Sequence, residues 1–211
     1  MANFKTHIWW GGIIGVGILV AGLLTSIISG AETMVWIFLA VLVGSFLPDL
    51  DIDEGVPFQI LFGLLAAGLA GMVFFNFYQD GTRDLKILIL LPVLTFVIVR
   101  FVIGRVFERF THHRGMFHSI PSAALAGVLA CWALNFFDIN QKLCVLAGFA
   151  VGIGYLGHLI LDEIYSTINF HGLKFSPKKS LGSAMKFWSS SRLATIFVYL
   201  ALLVSLIVFN S

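Results

Sequence analysis

The chain has 211 residues, 59% of them hydrophobic, 14% aromatic and only 11% charged, with a mean hydropathy of +0.97. Soluble domains carry about 45–50% apolar and about 25% charged residues, so this chain has too little charge to cover a water-facing surface. A soluble enzyme, a disordered chain and a coiled coil are excluded, the net charge of +2 gives no reason to expect a nucleic-acid partner, and a polytopic membrane protein remains.

A helix crosses a bilayer with about 20 apolar residues, within a range of about 17–25. In chain order the runs of that kind are Ile8–Ser29, Ala31–Leu47, Pro57–Phe77, Leu85–Ile103, Ile120–Phe137, Leu143–Leu161 and Leu193–Phe209. The second stops at Pro48, and turn signals such as Gln79-Asp80-Gly81 fall in the breaks. The runs are continuous rather than alternating, which disfavours a β-barrel. The first is too long for a typical cleaved leader and is expected to stay as a span. The sequence therefore predicts an all-α, polytopic transmembrane helical bundle of about seven spans. It is read as a single domain over residues 1–211, without internal repeats. Cys131 and Cys144 lie in apolar runs at a spacing that fits no metal motif and are expected to be buried free thiols.

The basic residues orient the bundle. On the side of the N-terminus fall Lys5, Arg100, Arg105, Arg109, Arg114, Lys174, Lys178, Lys179, Lys186 and Arg192, against Arg83, Lys86 and Lys142 on the other, ten against three. The positive-inside rule places the N-terminus in the cytoplasm and the C-terminus outside.

Ionisable side chains at membrane-helix ends are costly and tend to be functional. Four groups stand out. His7 precedes the first span; Asp49, Asp51 and Asp53 follow the second; His112, His113 and His118 lead into the fifth; His158 and Asp162 end the sixth. By the span count all four lie at one membrane face, where a bundle can bring them to one site. Imidazole plus carboxylate is the donor set of zinc, and also of manganese or iron. His158 and Asp162, four apart, share a helix face. His113 and His118 would converge if Gly115 opens a turn, and Asp49 and Asp51 would point the same way if the chain runs extended after Pro48. A calcium loop at Asp49–Asp53 fails because glycine falls at the seventh position (Gly55) and Ile60 stands at the twelfth. No H-E-x-x-H and no G-x-S-x-G occurs. Ser119 reads as the N-cap of the fifth span, and Gly152-Ile153-Gly154 as helix packing.

His7 with Gly11, Leu47-Pro48-Asp49-Leu50-Asp51, His113-Arg114-Gly115-Met116-Phe117-His118-Ser119, and Gly154-Tyr155-Leu156-Gly157-His158-Leu159-Ile160-Leu161-Asp162 follow one another in the chain. In this combination the sequence resembles the YdjM-like family of LexA-regulated, membrane-bound predicted metal-dependent hydrolases. Phe117 stands where many relatives have threonine and His112 where glycine is common. The resemblance implies hydrolysis, with a remote similarity in motif order to zinc-dependent phospholipases C and single-strand nucleases.

The expectation is thus a metal-dependent phosphoester hydrolase of the bacterial-type inner membrane. Its ligand candidates are His7, Asp49, Asp51, His113, His118, His158 and Asp162, enough for one or two divalent ions, zinc first. Asp51 or Glu163 is the candidate base, and Arg114 the candidate phosphate clamp. A site at a bundle mouth favours a membrane lipid or lipid-linked substrate; no protein partner is implied. The lysines and aromatics of residues 176–188 suit a membrane interface. The alternative is a divalent-metal transporter or a metal-binding membrane protein without catalysis; transport would place ligands near mid-membrane.

Overall fold

A computed structural model describes residues 3–51, 55–106, 115–169, 174–175 and 185–209. Among these, seven apolar α-helices take the places of the seven runs: α1 (Phe4–Leu24), α2 (Ala31–Phe46), α3 (Val56–Gln79), α4 (Leu85–Val97), α5 (Ile120–Phe136), α6 (Gln141–Thr167) and α7 (Arg192–Phe209). Five of the helical stretches have the length and apolarity needed to cross a membrane, the fourth running from Leu85 through the segment after α4 to Val106; α5 and α7 are shorter apolar helices. A two-residue antiparallel pair joins β1 (Ile168–Asn169) to β2 (Lys174–Phe175).

Two run ends differ from expectation, each for a physical reason. The sixth run was expected to end at Leu161, but α6 continues through Asp162 and Glu163 to Thr167. Asp162 is fully buried against protein, so its polarity does not mark the end of the helix. After Pro48 the chain does not run extended; residues Leu47–Asp51 form a 3-10 turn that prolongs α2. The extended pairing expected of Asp49 and Asp51 is therefore not the backbone found. At the end of α4 the helix widens into a π-helical segment, Ile98–Ile103, which the sequence did not signal.

The chain divides into two compact units. The first comprises Met1–Pro48 and Arg114–Ser211. Within it α6 is central, packing on α1, α2 and α5, and α7 packs on α5. Ile37 and Val41 of α2 meet Ala147, Ala150 and Val151 of α6 in its apolar core. Small residues permit this closeness. A Cβ on Gly154 would lie 2.2 Å from the Val41 carbonyl oxygen, and one on Gly44 2.1 Å from that of Val151. On the α5 side, Gly127 and Gly148 face each other's backbones in the same way. Backbone contact of this kind replaces the hydrophobic drive that lipid cannot supply between spans. Both cysteines are buried and free, as expected.

The second unit, Asp49–His113, is built on the α3–α4 hairpin. Phe58 stacks near Phe62 at 4.5 Å, and the Arg100 guanidinium lies 5.6 Å from the Phe58 ring.

Candidate metal centre

Four ionisable side chains of the first unit meet in its interior. His7 comes from the first turn of α1, His118 from the turn before α5, and His158 and Asp162 from α6; all are at most 1% exposed. Asp162 is the hub. Its Oδ1 is 3.4 Å from His7 Nε2, and its Oδ2 is 3.8 Å from His118 Nε2 and 3.9 Å from His158 Nε2. The His7 and His158 rings stack at 3.7 Å, and the His118 ring stands edge-on to His158 at 5.7 Å.

These separations lie beyond the usual reach of about 2.7–3.2 Å for an N–H···O hydrogen bond. They are closer to the edge of a tetrahedron of ligands about 2.0–2.1 Å from an ion, roughly 3.3 Å. One nitrogen or oxygen from each of His7, His158 and Asp162 lies within 4.8 Å of the other two. Neither ring nitrogen of His7 has a hydrogen-bond partner among the described residues. Burying polar groups in this way costs several kcal/mol unless something compensates, and a cation is what this donor set would accept.

The tautomer of His158 is set by the end of α2. His158 Nδ1 lies 2.8 Å from the Ser45 carbonyl oxygen. A carbonyl only accepts, so Nδ1 carries a proton, and Nε2 is the nitrogen turned toward Asp162. This is the outer bond that metal-binding histidines ordinarily make. Residue 48, which in the i→i+3 register of the turn would donate to the same carbonyl, is proline and has no N–H to compete.

The other ligands are fixed just as locally. Trp10 Nε1 donates to the Gly157 carbonyl at 3.1 Å and ties α1 to α6 one residue from His158. Around His118, the Tyr155 hydroxyl donates to the Phe117 carbonyl and Ser122 Oγ donates to the Met116 carbonyl at 2.7 Å. Ser119 accepts from the Ser122 N–H as the N-cap of α5, as the sequence predicts. The sequence gives no sign of the roles of Trp10 and Ser45, and Tyr155 enters it only as one residue of the Gly154–Asp162 motif. Two of them read as ordinary aromatics of apolar runs, and Ser45 acts through its backbone.

The cluster sits toward one end of the unit. His7 lies 17 residues before the end of α1 and His158 17 residues after the start of α6, about 26 Å in each case at 1.5 Å per residue. His7 and His118 thus stand at helix ends, whereas His158 lies four residues past the midpoint of α6 and Asp162 five residues before its end. Only for α6 does the ligand pair lie inside the helix rather than at its end.

Asp49 is buried, at the start of the second unit. Asp51 closes the 3-10 turn. Its side chain, Asp53, His112, His113 and Arg114 lie outside the described residues. Glu163 is half-buried beside Asp162, about 100° round α6 from it, and its carbonyl accepts from Ser166 Oγ.

Fold and site define a class: a polytopic α-helical membrane protein with a buried histidine–carboxylate cluster. The chain belongs to the YdjM inner membrane protein family, whose model matches residues 1–210. Among curated proteins and solved structures nothing matches it.

Proposed function

We propose that this protein is a metal-dependent hydrolase of the inner membrane, acting on phosphoester bonds of a lipid or lipid-linked substrate at the cytoplasmic face. The observation that carries the reading is the convergence of His7, His118 and His158 on Asp162, with His158 Nδ1 held on the Ser45 carbonyl and Nε2 turned toward the carboxylate. These four residues are the core of the ligand set, with zinc the first choice and manganese or iron the next. Asp49, Asp51 and His113 are the further ligand candidates that a second ion would need.

A bound divalent ion would supply a Lewis acid for the phosphoryl oxygens and acidify water. The protein's share is to hold the donors rigid, through the Trp10, Ser45 and Tyr155 contacts. Asp51 or Glu163 serves as base and Arg114 as phosphate clamp. The N-terminus is placed in the cytoplasm on the ten-to-three distribution of basic residues.

One observation favours a second reading. All four core groups are at most 1% exposed, and closed metal sites are usually structural, whereas catalytic ones keep a position open. On that reading the ion braces the bundle without catalysis.

Metal analysis of the purified full chain tests both. About one ion or more per chain is expected, lost when His158 and Asp162 are both replaced by alanine. A metal-free wild-type protein would end both readings. Metal-dependent release of phosphate from lipid phosphoesters supports the hydrolase; a full metal load with no turnover leaves the structural role.

A further inference from the structure

The stretch Leu85–Val106 is the most apolar of the candidate spans, and it carries an arginine. Arg100 stands six residues before the end of that stretch, about 9 Å inside it at 1.5 Å per residue. A charged side chain at such a depth is costly, and it persists where something pairs with it.

The guanidinium has a defined place in the second unit. Arg100 belongs to the π-helical segment Ile98–Ile103, which closes with the Gly104 N–H on the Val99 carbonyl in the i→i+5 register. A Cβ on Gly104 would lie 3.1 Å from Phe58 Cζ, so the missing side chain lets the Phe58 ring of α3 sit against this backbone. Phe58 is only 3% exposed there. Arg100 Cζ is 5.6 Å from the centre of the Phe58 ring and 5.7 Å from that of Phe101. Attraction to the rings acts on the charge and occupies none of the five N–H donors of a guanidinium. Among the described residues no carboxylate pairs with Arg100 and no acceptor takes one of its hydrogen bonds; the ion pairs found there all converge on Asp162.

We propose that Arg100 is a binding site for the phosphate group of a phospholipid. Water is absent from the hydrocarbon core, so an acceptor for this guanidinium comes from the protein or from the lipid. The described residues supply none. The phosphodiester is the anion that every phospholipid carries, and two of its oxygens match the fork of an arginine. Phe58 and Phe101 keep the charge at its depth, and the phosphate is drawn down to meet it. Inorganic phosphate has the same chemistry and is the other source to be tested. The site lies in the second unit and does not depend on the candidate metal centre.

Solid-state NMR of the full chain with 13C-labelled arginine reads the distance from the guanidinium carbon to 31P. The first sample holds the protein in vesicles of phosphatidylethanolamine and phosphatidylglycerol in phosphate-free buffer, where all phosphorus is lipid. A bidentate pair puts the two nuclei about 4 Å apart, and the wild type should show a dephasing component at that distance. Arg100→Lys should lose it, and the difference between the two spectra isolates one guanidinium. Phe58→Leu keeps the arginine, removes the ring beside it and should weaken the component about twofold. Equal dephasing in the wild type and Arg100→Lys would overturn the proposal; should Arg100→Lys not fold, an unchanged component in Phe58→Leu would do so. The second sample uses galactolipid vesicles with inorganic phosphate as the sole phosphorus. No Arg100 component is expected in it, and one as large as in the first sample would assign the site to free phosphate and overturn the lipid.

Discussion

The spans Leu85–Val106 and Gln141–Ser166 invert what a soluble protein teaches. The first is the more apolar, yet only 17% of its apolar stretch is buried, against 56% for the second. In water the most apolar segment goes inside. In a bilayer lipid solvates apolar faces as well as protein does, so the interior goes to segments with glycines that allow backbone contact and polar groups that need partners. α6 has both, in Gly148, Gly154, His158 and Asp162. The counterpart is the α3–α4 hairpin, where a Cβ on Gly63, Gly68 or Gly71 would meet nothing within 4 Å.

Three substitutions sharpen this contrast, from the largest effect to the smallest. Gly154→Leu, which drives a side chain into the backbone of α2, should destabilise the protein by about 3 kcal/mol, read from denaturant unfolding in micelles. A loss below about 1 kcal/mol would mean that the α2–α6 contact is looser than described. Tyr155→Phe removes the hydroxyl that holds the turn carrying His118, and should weaken metal affinity about tenfold with helix content unchanged. Equal affinity for wild type and variant, measured by competition with a chelator, would show that this hydroxyl does not position the site. Gly68→Ala in α3 should be neutral or stabilise by no more than about 1 kcal/mol, since its Cβ meets nothing and alanine is the better helix former.

The positions of the helices were legible because a continuous apolar run of bilayer length has few other solutions. Their ends were less so. Asp162 read as the close of a span because polarity usually marks the water boundary, but here it marks the protein interior. The π-helical segment at Ile98–Ile103 lies within a run whose apolar composition is blind to hydrogen-bond register. The four core residues of the candidate site were legible from chemistry and from the side of the membrane on which each run ends. The contacts that orient them were not: Ser45 contributes a carbonyl that every residue has, and Trp10 and Tyr155 each lend one polar atom on an otherwise apolar ring.

Pro48 has a consequence that reaches well beyond its own turn. It supplies no N–H to the Ser45 carbonyl, and the imidazole that meets that carbonyl stands 113 positions further along the chain from Ser45. The nitrogen of this imidazole that donates is therefore the one facing a backbone carbonyl three residues before an imino acid. A leucine–proline–aspartate stretch and a histidine far along the chain are thus joined in this protein through the backbone alone.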